Sequence, residues 1–212
     1  MKIGINHLTH KNQIVVVNYG INNVSSVSKA LKQCNIEHTI SSNPEYLEKC
    51  SHIILPGVGS FDSGVENLRI NGLDEAIIYA VKNGAYLMGI CLGMQLLFDK
   101  SEESKKNTRG LGLLKGKIVR FNDHEGVTIP HMGWNEVFVR DENEITSVFK
   151  KTDQYFIHSF FVDPEDSDIV SCECFHGINF PATVLKNNIF GVQFHPEKSL
   201  EGIQFMENFC KQ

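Results

Sequence analysis

The chain has 212 residues, of which 42% are hydrophobic and 21% charged, and its formal net charge is -5. This composition is typical of a globular protein with one large domain or two small ones. The negative charge argues against a nucleic-acid partner, and no apolar run approaches the ~18 residues that span a bilayer. The N-terminal residues lack the apolar core of a signal peptide, so we expect a cytoplasmic protein with no membrane partner.

The first thirteen residues carry a weak pattern, so we predict an N-terminal extension over 1–13 and a folded domain over 14–212. After them, short apolar runs alternate with segments of helical spacing as far as residue 98. This alternation is typical of βαβ units and of a parallel sheet with helices on both faces. The runs predict strands at 14–18, 36–40, 52–55 and 85–90, and helices at 23–34, 44–49, 61–71 and 73–83.

The second half of the chain has short strands separated by turns, which indicates an antiparallel or mixed extension of the sheet. A helix is predicted at 199–210. We therefore predict an α/β fold with a mostly parallel central sheet, helices on both faces and this strand extension. The strands of the second half are predicted at 113–121, 134–140, 154–161, 168–175, 181–186 and 189–194.

Six cysteines are distributed along the chain, and two of them, Cys172 and Cys174, lie in one predicted strand. Two residues apart on a strand, their thiols share one face, where packing is their expected role. The spacing C-x-C differs from that of zinc ligands, and no second pair completes a site. We therefore expect no metal site, and no other feature of the sequence calls for a cofactor.

Cys91 lies between Gly89 and Gly93, in the sequence G-I-C-L-G after a buried strand. This is the spacing of the G-x-S-x-G elbow, in which a strained strand-to-helix turn presents a nucleophile. The pattern predicts an exposed thiol at the end of a strand and the start of a helix, where the helix dipole favours the thiolate. Taken alone, the elbow fits a buried structural cysteine equally well.

His195 follows an apolar strand and precedes Pro196, which ends the strand, so it lies at a strand end as Cys91 does. Glu197 is two residues further on and points to the same side if the segment is extended. A carboxylate there can fix the tautomer of the histidine, which a thiol nucleophile needs as its base. The alternative is an ordinary polar turn between strand and helix.

Taken together, the elbow and H-P-E resemble the class I, triad-type glutamine amidotransferases, whose fold is flavodoxin-like. Within them the chain looks most like the HisH family, the glutaminase subunits of imidazole glycerol phosphate synthase. The resemblance covers nearly the whole chain from Ile14. It is carried by NYGINNVSSVSKAL, LPGVGSF, GICLGMQLLF, the SEE at 101–103, GLGLLKGKIVRF, IPHMGWNEV, YFIHSFF and GVQFHPEKS.

The resemblance implies a catalytic role for each member of a triad. Cys91 attacks the side-chain amide of glutamine, His195 transfers the proton, and Glu197 orients His195. An oxyanion hole needs backbone donors. Its implied donors are the N–H group of Leu92 and one from the loop Gly57, Val58 and Gly59, which would turn when the partner docks. The alternative for that loop is an ordinary strand-to-helix turn.

Four further residues match positions that hold the substrate glutamine in the family. Gln95 and Glu103 match those at its amide and amino ends, and the backbone of Ser159 and Phe160 matches the site of its carboxylate. The structural alternatives are a buried helical glutamine for Gln95 and a solvated acidic pair at 102 and 103.

The family forms heterodimers with a (β/α)8-barrel synthase (HisF-like), which uses the ammonia to make imidazole glycerol phosphate and AICAR in histidine biosynthesis. The implied interface residues are His131, Met132, Trp134, Asn135, Tyr155 and Lys198.

Departures from the family pattern leave the pathway open. They are Asn18 in place of Asp, the Asn22–Asn23 pair in place of Gly-Asn, and HSFF in place of HSYY. One alternative is a HisH-like paralogue that supplies ammonia for amidino-sugar synthesis in surface polysaccharides. Others are a catalytically silent binding subunit and a free-standing cysteine hydrolase of γ-glutamyl bonds.

Overall fold

The computed structural model describes residues 13–122 and 127–212. Strands and helices alternate in the first half, as predicted. Asn23, Asn43 and Ser60 each begin a helix by accepting a backbone N–H with the side chain. The elements are β1 (Ile14–Val17), α1 (Val24–Gln33), β2 (Thr39–Ser41), α2 (Pro44–Glu48), β3 (His52–Gly57), α3 (Phe61–Ile70), α4 (Leu73–Lys82), β4 (Tyr86–Cys91) and α5 (Leu92–Leu96).

The second half is rich in strands and ends in a helix. Three short 3-10 helices lie at Thr146–Phe149, Ser167–Ile169 and Pro196–Lys198. The other elements are β5 (Lys100–Ser101), β6 (Gly116–Arg120), β7 (His131–Val139), β8 (Thr152–His158), β9 (Phe160–Pro164), β10 (Val170–His176), β11 (Ile178–Lys186), β12 (Ile189–Val192) and α6 (Leu200–Phe209).

Nine strands form one mixed sheet in the order β2-β1-β3-β4-β12-β11-β10-β7-β8. The first five of these are parallel, and the others pair antiparallel. The last strand in sequence, β12, therefore lies beside β4. The carboxyl ends of β3, β4 and β12 meet at one edge, where ligands of such sheets usually bind.

Two apolar clusters cover the two faces of the sheet. On one face, α1 and α6 pack with side chains such as Val27 and Phe205 against Val16 and Met88. On the other, α2 to α5 pack with side chains such as Leu47 and Ile77 against Val15 and Leu87. In the described ranges, none of the helices is long and apolar enough to cross a membrane.

The structure corrects two of the predicted strands. The run 154–161 is two strands, because the chain leaves the main sheet at Ser159 and enters a second sheet, β5-β6-β9, which was not predicted. The strand predicted at 36–40 is shorter and later, since Ile36 still bonds the end of α1 through the carbonyl of Leu31.

The remaining expectations concern the cysteine pair, a metal site and the N-terminal extension. Cys172 and Cys174 are buried together in one cluster, as predicted. The described ranges contain no group of three or more His, Cys, Asp or Glu side chains that could hold a metal. Apart from Gln13, the predicted extension over 1–13 lies outside the described residues, and the domain boundaries stay a prediction.

Candidate active site

The elbow at Cys91 has the strained backbone that its glycines predict. Cys91 has φ 54° and ψ -110°, a conformation that a non-glycine residue rarely adopts. A Cβ on Gly89 would lie 2.6 Å from the carbonyl oxygen of Gly93, and one on Gly93 would collide with the carbonyl oxygen of Leu55. Close approach of β3, β4 and α5 therefore requires both glycines.

The prediction of an exposed thiol is wrong, because Cys91 is only 7% exposed. The residue instead lines a pocket together with Leu92, Gln95 and His195. The following helix α5 has five residues, which leaves a short dipole to stabilise a thiolate.

His195 and Glu197 form a hydrogen-bonded pair in which His195 Nδ1 lies 2.9 Å from Glu197 Oε1. Their side chains are 7% and 2% exposed. The contact was expected from an extended segment, but residues Pro196–Lys198 form a 3-10 turn. The turn, rather than strand alternation, brings the carboxylate back to the imidazole.

Neighbouring strands and α6 hold this turn in place. The backbone N–H of His195 donates to the carbonyl of Tyr155 in β8 at 2.9 Å. The hydroxyl of Ser199 donates to Gln154 Oε1 at 2.6 Å and accepts the backbone N–H of Gly202 at 2.9 Å. The base is therefore fixed by contacts to residues about forty positions earlier in the chain.

The charge state of His195 depends on its two neighbours. Burial disfavours the imidazolium, but the interactions of His195 with Cys91 and with the Glu197 carboxylate outweigh it and raise the pKa of His195. Among the described residues, His195 Nε2 has no hydrogen-bond partner within geometric limits. It is thus the ring nitrogen left to exchange a proton in the pocket, while Nδ1 is held by Glu197.

One pocket of about 330 Å³ brings together most of the predicted site residues. Glu197 is buried behind His195, and Gly57 lies in β3 as the Cα partner of Cys91. Pro130, Ile157 and His158 complete the wall and were not predicted. The predicted residues that line the pocket are Val58, Gly59, Cys91, Leu92, Gln95, Glu103, Ser159, Phe160 and His195.

In the predicted oxyanion loop, the N–H group of Val58 is already bound within the protein. It donates to the carbonyl of Ile21, at 3.4 Å, in the loop after β1. That loop is held by Asn22, whose Nδ2 donates to the carbonyl of Val17 at 2.7 Å. Leu92 begins α5 directly after the nucleophile. In this structure the N–H group of Val58 is therefore engaged by the loop after β1.

Gln95 and Glu103 are both anchored by the protein. Gln95 Nε2 donates to the Phe160 carbonyl at 2.9 Å and to Gln193 Oε1 at 3.2 Å. Glu103 Oε2 accepts the backbone N–H of Phe61 at 2.7 Å, at the start of α3. Glu103 is partly buried while Glu102 is exposed, and the partial burial raises the pKa of the Glu103 carboxyl.

Gln193 was missed by the sequence analysis. It is fully buried, and its Nε2 donates to Cys91 Sγ at 3.8 Å. The sequence carried no direct signal for it, because the contact depends on the pairing of β12 with β4.

Three of the six predicted interface residues lie on the open face of β7 and β8. Met132 and Trp134 are well exposed, and Trp134 meets Tyr155 edge-on. Lys198, in the turn after β12, has its Nζ 4.7 Å from the Tyr155 ring centroid. His131, which is 4% exposed, and Asn135 are exceptions, because strand alternation places both on the inner face of β7, where Asn135 Nδ2 lies 3.3 Å from His131 Nε2.

The fold and this pocket define a class I glutamine amidotransferase, and the family model "Glutamine amidotransferase class-I" matches residues 15–212. Two solved structures share the fold. A glutamine amidotransferase crystal structure has TM-score 0.74 at 21% identity, covering 93% of this chain and 97% of its own. PurLQS from Thermotoga maritima has TM-score 0.73 at 23% identity, covering 95% and 98%.

Curated relatives narrow the family. "Imidazole glycerol phosphate synthase subunit HisH" of Geobacillus sp. (strain WCH70) is 43% identical, covering 93% of this chain and 95% of that protein. The protein of that name from Bacillus subtilis (strain 168) is 42% identical with the same coverage. The chain therefore belongs to the HisH family of class I glutamine amidotransferases, and the family resemblance drawn from the sequence is confirmed.

Proposed function

We propose that this chain is the glutaminase subunit of an imidazole glycerol phosphate synthase and that Cys91, His195 and Glu197 carry its chemistry. The observation that supports this most is the His195–Glu197 pair at 2.9 Å, in the same pocket as a cysteine with φ 54°. A strained nucleophile, a base and an orienting carboxylate are the parts that covalent acyl transfer requires.

The first half of the reaction forms a thioester. The Cys91 thiol gives its proton to His195 Nε2, the sulfur attacks the side-chain carbonyl carbon of glutamine and forms a C–S bond, and the carbonyl electrons move to the oxygen. When that oxyanion collapses, the C–N bond breaks, and His195 Nε2 gives a proton to the departing nitrogen, which leaves as ammonia. Glu197 holds Nδ1 and stabilises the imidazolium that precedes this step.

The second half releases glutamate. His195, now neutral, accepts a proton from water, and the resulting oxygen nucleophile attacks the thioester carbon. The C–S bond breaks, the sulfur leaves as thiolate, and glutamate is formed. The nitrogen of the amide has by then left as ammonia for the synthase.

Partner-dependent activity is part of this proposal. The N–H group of Val58 is bound to Ile21 at 3.4 Å, so it stabilises no oxyanion until the peptide turns. A missing oxyanion-hole donor typically costs ~3–4 kcal/mol of barrier. The isolated chain is therefore expected to hydrolyse glutamine slowly and to accelerate when the synthase subunit and its ligand are bound.

We further propose that the partner is a (β/α)8-barrel synthase of the HisF type in a heterodimer. Support comes from an apolar face beside the pocket, on the outer side of the antiparallel strands. Large aromatic anchors at such faces often dominate binding. This outer face consists of Met132, Trp134, Phe138, Tyr155, Ile157 and Phe175.

A direct test is Cys91→Ala in the complex purified from the source cell. Synthesis that depends on glutamine should be lost, while synthesis from free ammonium and binding to the partner should persist. Glutamine-dependent turnover by Cys91→Ala would refute the proposed nucleophile. A barrel synthase is the partner that we expect mass spectrometry to identify.

The paralogue in amidino-sugar synthesis differs only in the acceptor of ammonia. The names of the HisH relatives favour histidine biosynthesis. Growth without histidine should return when the chain, with its own partner, is expressed in a strain lacking both subunits. Failure of growth with glutaminase intact would favour the sugar pathway, and absence of a glutamyl thioester would favour a silent binding subunit.

A further inference from the structure

A line of polar side chains runs from the partly exposed Asn135 in β7, through the buried His131 and His158, to the backbone of Phe160. Asn135 Nδ2 lies 3.3 Å from His131 Nε2. His131 Nδ1 lies 3.1 Å from His158 Nε2, and His158 Nδ1 lies 2.8 Å from the carbonyl oxygen of Phe160. The same carbonyl accepts from Gln95 Nε2 at 2.9 Å. None of these side chains belongs to the proposed triad, and of them only Gln95 has an implied contact with the substrate.

The hydrogen-bond pattern fixes the proton positions. The Phe160 carbonyl is only an acceptor, so His158 Nδ1 carries the proton. In a neutral imidazole, Nε2 then accepts, and His131 Nδ1 must be the donor. His131 Nε2 therefore accepts from the Asn135 amide. The orientation of that amide is set independently, because Nδ2 also donates to the Phe175 carbonyl at 2.9 Å and Oδ1 accepts the Glu136 N–H at 2.9 Å.

The surroundings keep both imidazoles neutral. Burial, together with His131, His176 and His195 nearby, lowers the pKa of His158 to about 3, against the bond to the Phe160 carbonyl. Burial and His176 lower that of His131 to about 4. His131 also stacks between Phe156 and His176, with ring centroids 4.8 Å and 4.1 Å away. The pair therefore remains an ordered donor chain near neutral pH.

This line of hydrogen bonds ends in the pocket wall, at Ser159 and Phe160. The Ser159 carbonyl accepts the backbone N–H of Phe121 at 3.1 Å, and the Phe160 carbonyl is held by His158 and Gln95. Both carbonyl oxygens carry partial negative charge and are kept on protein donors. These hydrogen bonds keep the two carbonyl oxygens from turning into the pocket, where they would repel a bound anion.

We propose that His131 and His158 are positioning residues that hold the Phe160 carbonyl and keep the Ser159–Phe160 segment in the conformation that receives the substrate's carboxylate. His131 acts through His158, since His158 lines the pocket and His131 packs behind it. The proposal rests on the proposed glutaminase function, because it assigns the α-carboxylate of glutamine to this wall. It predicts an effect on binding of the substrate rather than on the reactivity of the thiol.

The test compares two variants of the full chain. His131→Phe keeps the ring volume and the stacking but removes the donor to His158. His131→Asn puts an amide nitrogen near the position of Nδ1 and keeps a donor. Each variant is inactivated with two thiol reagents: a glutamine analogue with a γ-electrophile, which carries the α-carboxylate, and iodoacetamide, which does not.

For His131→Phe, the concentration of analogue that half-saturates inactivation should rise about three- to tenfold, as for the loss of one neutral hydrogen bond. The limiting rate and the iodoacetamide rate should stay within about twofold of wild type. His131→Asn should restore most of the affinity. The proposal is overturned if His131→Phe binds the analogue normally, if both reagents slow equally, or if His131→Asn is equally impaired.

A second measurement needs no variant. Nitrogen NMR of histidine-labelled chain should show Nδ1 protonated and Nε2 unprotonated in both His131 and His158 near neutral pH. An imidazolium or the opposite tautomer at either residue would overturn the proposed positioning role of His131 and His158. This measurement would decide the proposal even if His131→Phe failed to fold. If neither reagent labelled Cys91 in the wild type, the proposed function would fail instead, and the NMR result would still decide the positioning role.

Discussion

The two sides of the pocket are built in different ways. The nucleophile side, formed by β3, β4 and α5, is held by backbone contacts so close that glycine is required at Gly89 and Gly93. The base side, formed by the turn after β12 and by β7 to β9, is held by side-chain hydrogen bonds between residues far apart in sequence, such as Gln154 and Ser199. The first side depends on close backbone packing, and the second on hydrogen bonds between side chains.

Gly93→Ala should break the nucleophile side, with the largest effect on folding. The added Cβ would collide with the Leu55 carbonyl, and overpacking of this kind costs ~1–3 kcal/mol or more. The matched control is Gly64→Ala, whose Cβ would meet only the flexible side chains of Leu92 and Leu96, at 3.1–3.2 Å. Urea denaturation should show a large loss in the free energy of unfolding for Gly93→Ala and a small change for Gly64→Ala. Equal stability would contradict the packing argument.

Glu197→Gln should break the base side without disturbing the elbow. Loss of the carboxylate removes the group that fixes His195 Nδ1–H, and comparable changes in hydrolase triads cost up to ~10⁴-fold in kcat. Steady-state glutaminase assays in the activated complex should show a loss of ~10²–10⁴-fold. Iodoacetamide should still alkylate Cys91. A kcat within tenfold of wild type would mean that Glu197 is not the orienting group.

Glu197→Gln should also change the pKa of His195 and with it the pH dependence of stability. Because Cys91 and Glu197 raise the pKa of His195 above its usual value, its protonated form stabilises the folded state. That stabilisation is fully present below the usual pKa of ~6.5 and is lost as pH rises through the higher folded value. Glu197→Gln should therefore lower the pKa of His195 in an NMR titration. An unchanged or higher pKa would contradict the assignment.

Trp134→Ala tests whether the outer face of the base side binds the partner. Truncation of an aromatic anchor commonly costs ~2 kcal/mol or more of binding energy, which is about thirtyfold in Kd. Tyr79→Ala is the control, because Trp134 and Tyr79 are both 55% exposed and Tyr79 lies on α4, away from this face. Calorimetric titration with the barrel subunit should show a higher Kd for Trp134→Ala than for Tyr79→Ala. Equal affinities would place the interface elsewhere.

Asn22→Ala should have the smallest effect and tests the loop that holds Val58. Losing the 2.7 Å bond from Asn22 Nδ2 to the Val17 carbonyl loosens the loop that binds the Val58 N–H. One net hydrogen bond is worth about 1 kcal/mol, so basal glutaminase of the isolated chain should rise by up to about fivefold. Unchanged or lower basal activity would argue against this loop as the restraint on Val58.

The difference between the two sides also explains what the sequence could predict. The elbow, its strained cysteine and the parallel half follow from short-range signals, namely apolar runs and glycine spacing. The burial of Cys91, the turn that joins His195 to Glu197, and the inward side chain of His131 depend on which strands become neighbours. Gln193 reaches Cys91 only because β12 pairs with β4, which local periodicity does not encode.

The division of the predicted strand 154–161 at Ser159 also depends on which strands become neighbours. The residues at 154–161 read as one strand because both halves are apolar and β-prone, while the switch between two sheets is decided by tertiary pairing. The family resemblance supplied the substrate roles of Gln95, Glu103, Ser159 and Phe160, which spacing alone leaves open.

The central claim is that Cys91 is the nucleophile toward glutamine. Its most direct test is mass spectrometry of the acid-quenched complex during turnover. We predict a glutamyl adduct on the peptide that contains Cys91, absent from Cys91→Ala and accumulating when water attack is slowed. A complex that turns over glutamine rapidly, with no adduct on Cys91 under any quench condition and with Cys91→Ala fully active, would contradict the account.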